Sequence, residues 1–481
     1  MDTTRSSVQL SMDFAAGENP LAQRLRQGDF ALLLEYDPPL QKQPFDSAIT
    51  VGLNMAKKAS GDDLVAGILV TDRARGEKTH DAVETAARLA EHSGKPGILT
   101  IAGKAMDAAA MRDLTARARS AGIHTVFAVT GDRDHPRSDG RNGHRNGRGP
   151  TLYLDAVEML CRLRTSGNGV LPGASINPFK YTPEDQYLQY YKMARKLQTG
   201  AEFLIAQTGW DMKKFQELQW YLQMREISAP VFARVALLSP DEIERIHDGL
   251  MPGVHVARTY AAMLQRESDL NPNQCLSAQL HRIGMQVAGC RLLGYSGIAL
   301  HGIRDDQTLA MVLKQVREAL DKYQNYKQWL GDWQQFHDTM EFSPIPDGYY
   351  VYRNLLDPDI QFYDPQRCVL TDRTLPEASR RDRIVGTAIS ALTSRHVPEP
   401  VTRLARTLLC RRCPQSEHRL RYIEYLCPHD CPKHLVFGAC GGSYPDGTCE
   451  YGQGPCFFHR VLGLAAARQH LDRLEDGVTD V

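Results

Sequence analysis

Eight short apolar runs, each followed by a helical pattern, recur along the first three hundred residues, and this alternation limits the fold more than any other feature. They are ALLLEY (31–36), DLVAGILVT (63–71), GILTIAG (97–103), HTVFAVTGD (124–132), GVLPGAS (169–175), EFLIAQTG (202–209), PVFARVALL (230–238) and GIALHG (297–302). Their interiors are apolar and β-branched, as expected of strands covered on both faces. Helical stretches such as THDAVETAARLAEH and PEDQYLQYYKMARKLQTG stand between them. Eight such units in about 300 residues fit a (β/α)8 barrel within its usual size. An open doubly wound sheet would carry G-x-G-x-x-G after its first strand, and that fingerprint is missing here. The expected fold class is therefore α/β, a (β/α)8 TIM barrel.

A barrel of this kind gathers its chemistry where the strands end. The polar residues at those ends are Glu35, Thr71, Thr100, Thr130 with Asp132, Ser175, Gln207 and His301. Any one of them suits a turn or a loop cap, but seven strands ending this way point to a site. Glu35 stands out, because it follows ALLL and precedes YDPP. A carboxyl at the end of a buried strand is expected to have a raised pKa and to deliver a proton. The Gly-, Arg- and Asn-rich stretch RDHPRSDGRNGHRNGRG after Asp132 has no apolar periodicity, so it is expected to be a mobile, solvated insert on the catalytic face.

At 481 residues the chain is long for one core. We divide it into an N-terminal segment (1–25), the barrel (26–322), a connecting segment whose Trp and Tyr stripe packs on the barrel (323–400), and a cysteine-rich module (401–481). Lys+Arg and Asp+Glu balance at 57 each, so the charge points to neither nucleic acid nor an anionic membrane. No stretch is apolar enough to span a bilayer, and the first residues lack an export pattern, so a cytoplasmic location is expected. In that reducing compartment clustered cysteines read as metal ligands rather than disulfides. Seven of the 11 cysteines crowd together: Cys410 and Cys413, Cys427 and Cys431, then Cys440, Cys449 and Cys456. Thiolates at such spacings select zinc or an iron–sulfur cluster. His418, His429, His434 and His459 lie close enough in sequence to replace a cysteine.

These strand ends resemble the methylenetetrahydrofolate reductase family, whose flavin-bearing barrel would cover roughly residues 25 to 320. LLLEYDPP looks like the family's first strand, which implies that Glu35 is the general acid. ILVTDRA resembles the second-strand segment that approaches the flavin, which implies that role for Thr71 and Ala74. FAVTGDRDH resembles the segment ending in Gly-Asp, so Gly131 falls beside the cofactor, and Asp132 near both the flavin ring and the folate pterin. MARKLQTGAEFLIAQTGWD is similar to a basic helix followed by a strand ending in Gln. Arg195 and Lys196 would then lie near the flavin phosphates and Gln207 against the pterin. Thr100, Thr130, Ser175 and His301 complete the expected cofactor side, and Arg304 the substrate side. The cysteine-rich CPKHLVFGACGGSYPDGTCE resembles the family's partner module, which implies either an iron–sulfur relay or a zinc-stabilised fold.

The resemblance has departures. Ile98 stands where a flavin-contacting histidine is common, Thr130 where an arginine precedes Gly-Asp, ASINPFK where an aromatic and histidine pattern is usual, and His301 where a tyrosine is usual. What it implies is a flavin-dependent oxidoreductase, with FAD expected over FMN, that interconverts 5,10-methylene- and 5-methyltetrahydrofolate in either direction. A [4Fe-4S] cluster or zinc would sit at the cysteines. The electron source would be a donor protein or NAD(P)H, and the chain is expected to form an oligomer of identical copies. The competing readings are a folate-dependent methyl-transfer partner and an electron-transfer scaffold without reductase activity of its own.

Overall fold

Successive side chains of a strand point to opposite faces, so each strand contributes alternate residues to the barrel interior and to the layer beneath the helices. The computed structural model describes residues 19–71, 78–133, 151–166, 169–337, 340–393, 397–398, 400–401, 417–452 and 454–481. Within them run β1 (Ala31–Tyr36), β2 (Val65–Val70), β3 (Gly97–Ala102), β4 (Thr125–Val129), β5 (Leu171–Ile176), β6 (Phe203–Thr208), β7 (Val231–Ala236) and β8 (Gly297–His301). They pair in chain order, all parallel. β8 returns to β1 with Ala31 opposite Gly297 and Leu33 opposite Ala299, which closes a TIM barrel. Each apolar run picked out in the sequence holds one strand.

Two nested cores result. Leu33, Leu69, Ile98, Ile205, Phe232 and Ala299 belong to an apolar cluster inside the barrel. Leu21, Ala22 and Leu25 of the helix Pro20–Gln27 join the same cluster. Asn19 caps that helix and donates from Nδ2 to Thr125 Oγ1 at 3.0 Å, which fixes the helix under β4. The alternate residues, among them Leu32, Leu34, Ile68 and Leu99, pack outward into the larger core under the helices. Full burial of each such side chain contributes about 1.5–3 kcal/mol before entropy is charged against it.

Tyr326, Trp329 and Trp333 are buried, and the indole of Trp329 donates to Met285 O at 2.8 Å in the helix Pro272–Leu292. Beyond residue 417 the described chain is mostly turns with one longer helix, Phe457–Ala467. This segment is stitched to the helix Pro183–Thr199: Lys192 Nζ donates to Gly438 O at 3.0 Å, and His459 Nε2 lies 2.9 Å from Asp185 Oδ1. Among the described residues no helix is long and apolar enough to cross a membrane.

Candidate active site at the barrel mouth

On six of the eight strands, two residues beyond an inward apolar side chain, the same alternation delivers a polar one. Leu33 leads to Glu35, Leu69 to Thr71, Ile98 to Thr100, Ile205 to Gln207, Phe232 to Arg234 and Ala299 to His301. Glu35 is 6% exposed and lies between two cationic groups. His301 Nδ1 is 3.2 Å from its Oε1 and Arg234 Nε is 3.0 Å from its Oε2. The Arg234 contact is ionic, since the Nε–H is not aligned on the oxygen and both atoms are buried without a hydrogen-bond partner. Burial pushes the Glu35 carboxyl up, but Arg234 and His301 together outweigh it and hold the group at about 2. This corrects the expectation of a raised pKa, because burial acts here against two neighbouring cations. His301 responds in kind. Burial lowers it, Glu35 and then Asp37 raise it, and it ends above its ordinary 6.5.

Around this cluster, Arg234 Nη1 donates to Gln207 Oε1 at 3.4 Å, and Thr71 Oγ1 donates to Asp37 Oδ1 at 2.7 Å. The Thr100 hydroxyl is buried without a partner, so it can take up a polar ligand atom. A cavity of ≈350 Å³ opens at the ends of β1 and β8, lined by Glu35, Asp37, Thr79, His301 and Arg304 among others. Arg304 is exposed on its rim and donates to Ser239 Oγ at 3.0 Å. A second cavity, of ≈360 Å³, lies between residues 246–258 and the C-terminal segment. Its walls include His255 and Glu450 but no member of the Glu35 cluster.

The charge of Arg234 also reaches Asp132, one of the other predicted site residues. Thr130 is buried just past β4, in the phase of outward-packed Ala128. Gly131 offers its carbonyl to Lys433 Nζ at 2.7 Å. Asp132 is exposed by area, yet the protein around its carboxyl pushes its pKa up against the pull of Lys433. Lys196 donates to the Ser175 carbonyl and hydroxyl inside the fold, and burial, with Lys192 adding to it, brings its ammonium down to about 7. Arg195 is 1% exposed and does not reach the mouth. Its guanidinium donates to Phe437 O at 3.0 Å, to Asp476 O at 2.9 Å and to Arg473 O. Each of its three nitrogens is thus engaged by a backbone carbonyl of the C-terminal segment, where the resemblance had implied a place near the flavin phosphates. Ala74 and the insert after Arg133 lie outside the described residues.

Cys410 and Cys413 lie outside the described residues, and Cys427 has its sulfur 3.9 Å from His429 Nδ1. Cys431, Cys440, Cys449 and Cys456 interact by charge: Cys431 with Cys449 and Cys440, and Cys456 with Cys440 and Cys431. Each sulfur accepts a backbone N–H from the residue two positions on, namely Lys433, Gly442, Tyr451 and Phe458. Burial raises all four thiols, Cys440 to about 12. Among the described residues no three His, Cys, Asp or Glu side chains are close enough to hold a single metal ion. A link runs from here to the barrel. Cys440 Sγ donates to Glu450 Oε1 at 3.1 Å, Lys433 Nζ lies 2.6 Å from the same oxygen, and Arg133 N donates to Glu450 Oε2 at 3.3 Å.

The sequence reading missed Arg234, Lys433 and Glu450. Arg234 was detectable, since it interrupts PVFARVALL in the inward phase two residues after Phe232. Lys433 and Glu450 carry no local signal.

Comparison with known proteins gives three findings. The model of the family described as Methylenetetrahydrofolate reductase matches residues 20–266, and that described as Methylene-tetrahydrofolate reductase C terminal matches residues 395–480. No curated protein matches the chain. Among solved structures, the chain is similar to an uncharacterized protein from Clostridium thermocellum that binds two copies of 5-methyl-5,6,7,8-tetrahydrofolic acid, with a TM-score of 0.47 and 13% identity over 63% of this chain and 100% of that one.

Proposed function

Because the chain belongs to the methylenetetrahydrofolate reductase family, we propose that it is a flavin-dependent oxidoreductase interconverting 5,10-methylene- and 5-methyltetrahydrofolate. The observation that carries this reading is the Glu35–His301–Arg234 cluster at the cavity between β1 and β8. Forming a methyl group from a methylene bridge needs a hydride and a proton on the departing folate nitrogen. A bound flavin, proposed as FAD, would supply the hydride chemistry. Thr71, Thr100, Ser175 and His301 would face it, and the unpartnered Thr100 hydroxyl fits such a polar ligand. Asp132 and Gln207 would orient the pterin, and Arg304, exposed on the rim, would meet the folate's acidic tail. Proton transfer falls to the Glu35–His301 pair.

For the C-terminal segment we propose a [4Fe-4S] cluster on Cys431, Cys440, Cys449 and Cys456. A four-iron cluster takes four thiolates and spreads them over a wider cage than one zinc, whose sulfurs lie about 2.3 Å from the ion. Four thiols grouped around Cys431, each accepting an N–H, suit the cluster better than a single ion. The deciding experiment is an absorption spectrum with metal analysis on anaerobically purified protein. Flavin bands, a broad shoulder near ~400 nm and roughly four irons per chain are expected. Flavin with about one zinc and no iron would make the segment structural and favour a nicotinamide donor. Absence of flavin would overturn the central reading and favour a methyl-transfer role.

A further inference from the structure

Arg234 reaches from β7 to side chains of three other strands. Its Nε is 3.0 Å from Glu35 Oε2 on β1, its Nη1 donates to Gln207 Oε1 on β6 at 3.4 Å, and its guanidinium carbon stands 5.9 Å from the centre of the Phe127 ring on β4. These contacts fix a planar cationic fork over an aromatic ring. Nε and Nη1 are engaged, which leaves Nη2. Among the described residues Nη2 has no hydrogen-bond partner, and 16% of the side chain is exposed. The same contact fixes the Gln207 amide. Its Oε1 accepts from Thr208 N at 3.0 Å as well as from Arg234 Nη1. An amide turned over would set its own N–H groups against both donors, so the oxygen stays where it is. Nε2 is then the half of Gln207 left for a ligand; the residue is half-buried, and among the described residues Nε2 has no partner. Two side chains in contact thus offer N–H donors and no acceptor.

Resting on the folate reading above, we propose that Arg234 is a specificity-determining residue: it pins the Gln207 amide and, together with it, presents donors to the 4-oxo group of the pterin. A carbonyl oxygen has two lone pairs and can take both donors. A 2,4-diaminopteridine carries an amino group at that position, so its N–H groups would point at those of Gln207 and at a permanent cation. Diaminopteridines are also the more basic rings, and a ring that takes up a proton is repelled further by the guanidinium. Selectivity therefore comes from the clash with the wrong ring as much as from attraction to the right one. The placement suits the chemistry as well. O4 lies beside N5, the nitrogen that keeps the transferred carbon, so anchoring O4 next to Glu35 sets that carbon close to the acid.

The test uses a matched pair of ligands, tetrahydrofolate and its 4-amino-4-deoxy counterpart, which differ only at this position. Both are titrated anaerobically by calorimetry into the flavin-containing full-length protein. Wild type is expected to favour tetrahydrofolate by about tenfold or more. Arg234→Met is expected to bring the two affinities within about threefold of each other. Gln207→Glu puts acceptors where the donor was, at nearly unchanged size, and is expected to favour the 4-amino ligand. It decides the matter if Arg234→Met does not fold. A merely structural role for Arg234 would weaken both ligands by one factor and leave their ratio alone. Equal affinities in the wild type, or an unchanged ratio in the variants, overturns the proposal and leaves the folate reading intact. A wild type that binds neither tetrahydrofolate nor 5-methyltetrahydrofolate overturns the folate reading, and the role of Arg234 with it.

Discussion

At Glu35, loss of solvation opposes ionisation while Arg234 and His301 favour it, and the second effect is larger. Arg234→Met removes one of the two cations, so the Glu35 carboxyl is expected to rise from about 2 toward its ordinary 4.5 or beyond. A pH titration of the Glu35 carboxyl followed by NMR reads this directly. Stability follows by linkage. Because the folded-state value is depressed, the stabilisation is present above the unfolded value and is lost as pH falls from about 4.5 toward 2. Melting temperatures of wild type and Arg234→Met should therefore differ at neutral pH and converge near pH 2, and a constant gap would refute the electrostatic account. The position of Glu35 was legible, because a carboxylate closing an apolar run is a local pattern. Its ionisation state was not, because the neighbours that set it come from β7 and β8, far along the chain.

The helix Pro183–Thr199 shows the same limit for an element. Its start is written locally, with Thr182 accepting from Asp185 N and Pro183 in the first turn. Its strands before and after are equally plain from alternation. Nothing local says that Lys192, Arg195 and Lys196 are all buried, since the cover arrives from beyond residue 430. Arg195→Met would leave three carbonyls without a donor, each costing about 1–3 kcal/mol. We expect a lower melting temperature and protease cleavage in the C-terminal segment before the barrel is cut. Gly441 reports on the same seam, with φ +85° and a virtual Cβ 2.9 Å from Gln189 Oε1. Gly441→Ala should destabilise by about 1–3 kcal/mol in a denaturant titration, and a neutral result would mean that the seam relaxes freely.

The whole molecule is more tightly joined than a barrel with an appended module. Lys180 donates to Ser443, Asn177 Nδ2 to Gly441 O, and Arg225 pairs through both nitrogens with Glu475. A chain ended at residue 400 would leave Lys180 and Arg195 without these acceptors and would bare to water the face of the helix Pro183–Thr199 that the C-terminal segment covers. We expect such a truncation to be insoluble or unfolded, and recovery of a soluble form that melts cooperatively would show that the barrel needs no cover. The contacts of Arg195 also have a consequence in time. Two of its three carbonyls, at Arg473 and Asp476, are synthesised after the last cysteine, and all three follow β8. A chain emerging from the ribosome therefore completes its barrel while Arg195 still faces water, and has produced every thiol before the clasp that seats the segment can close.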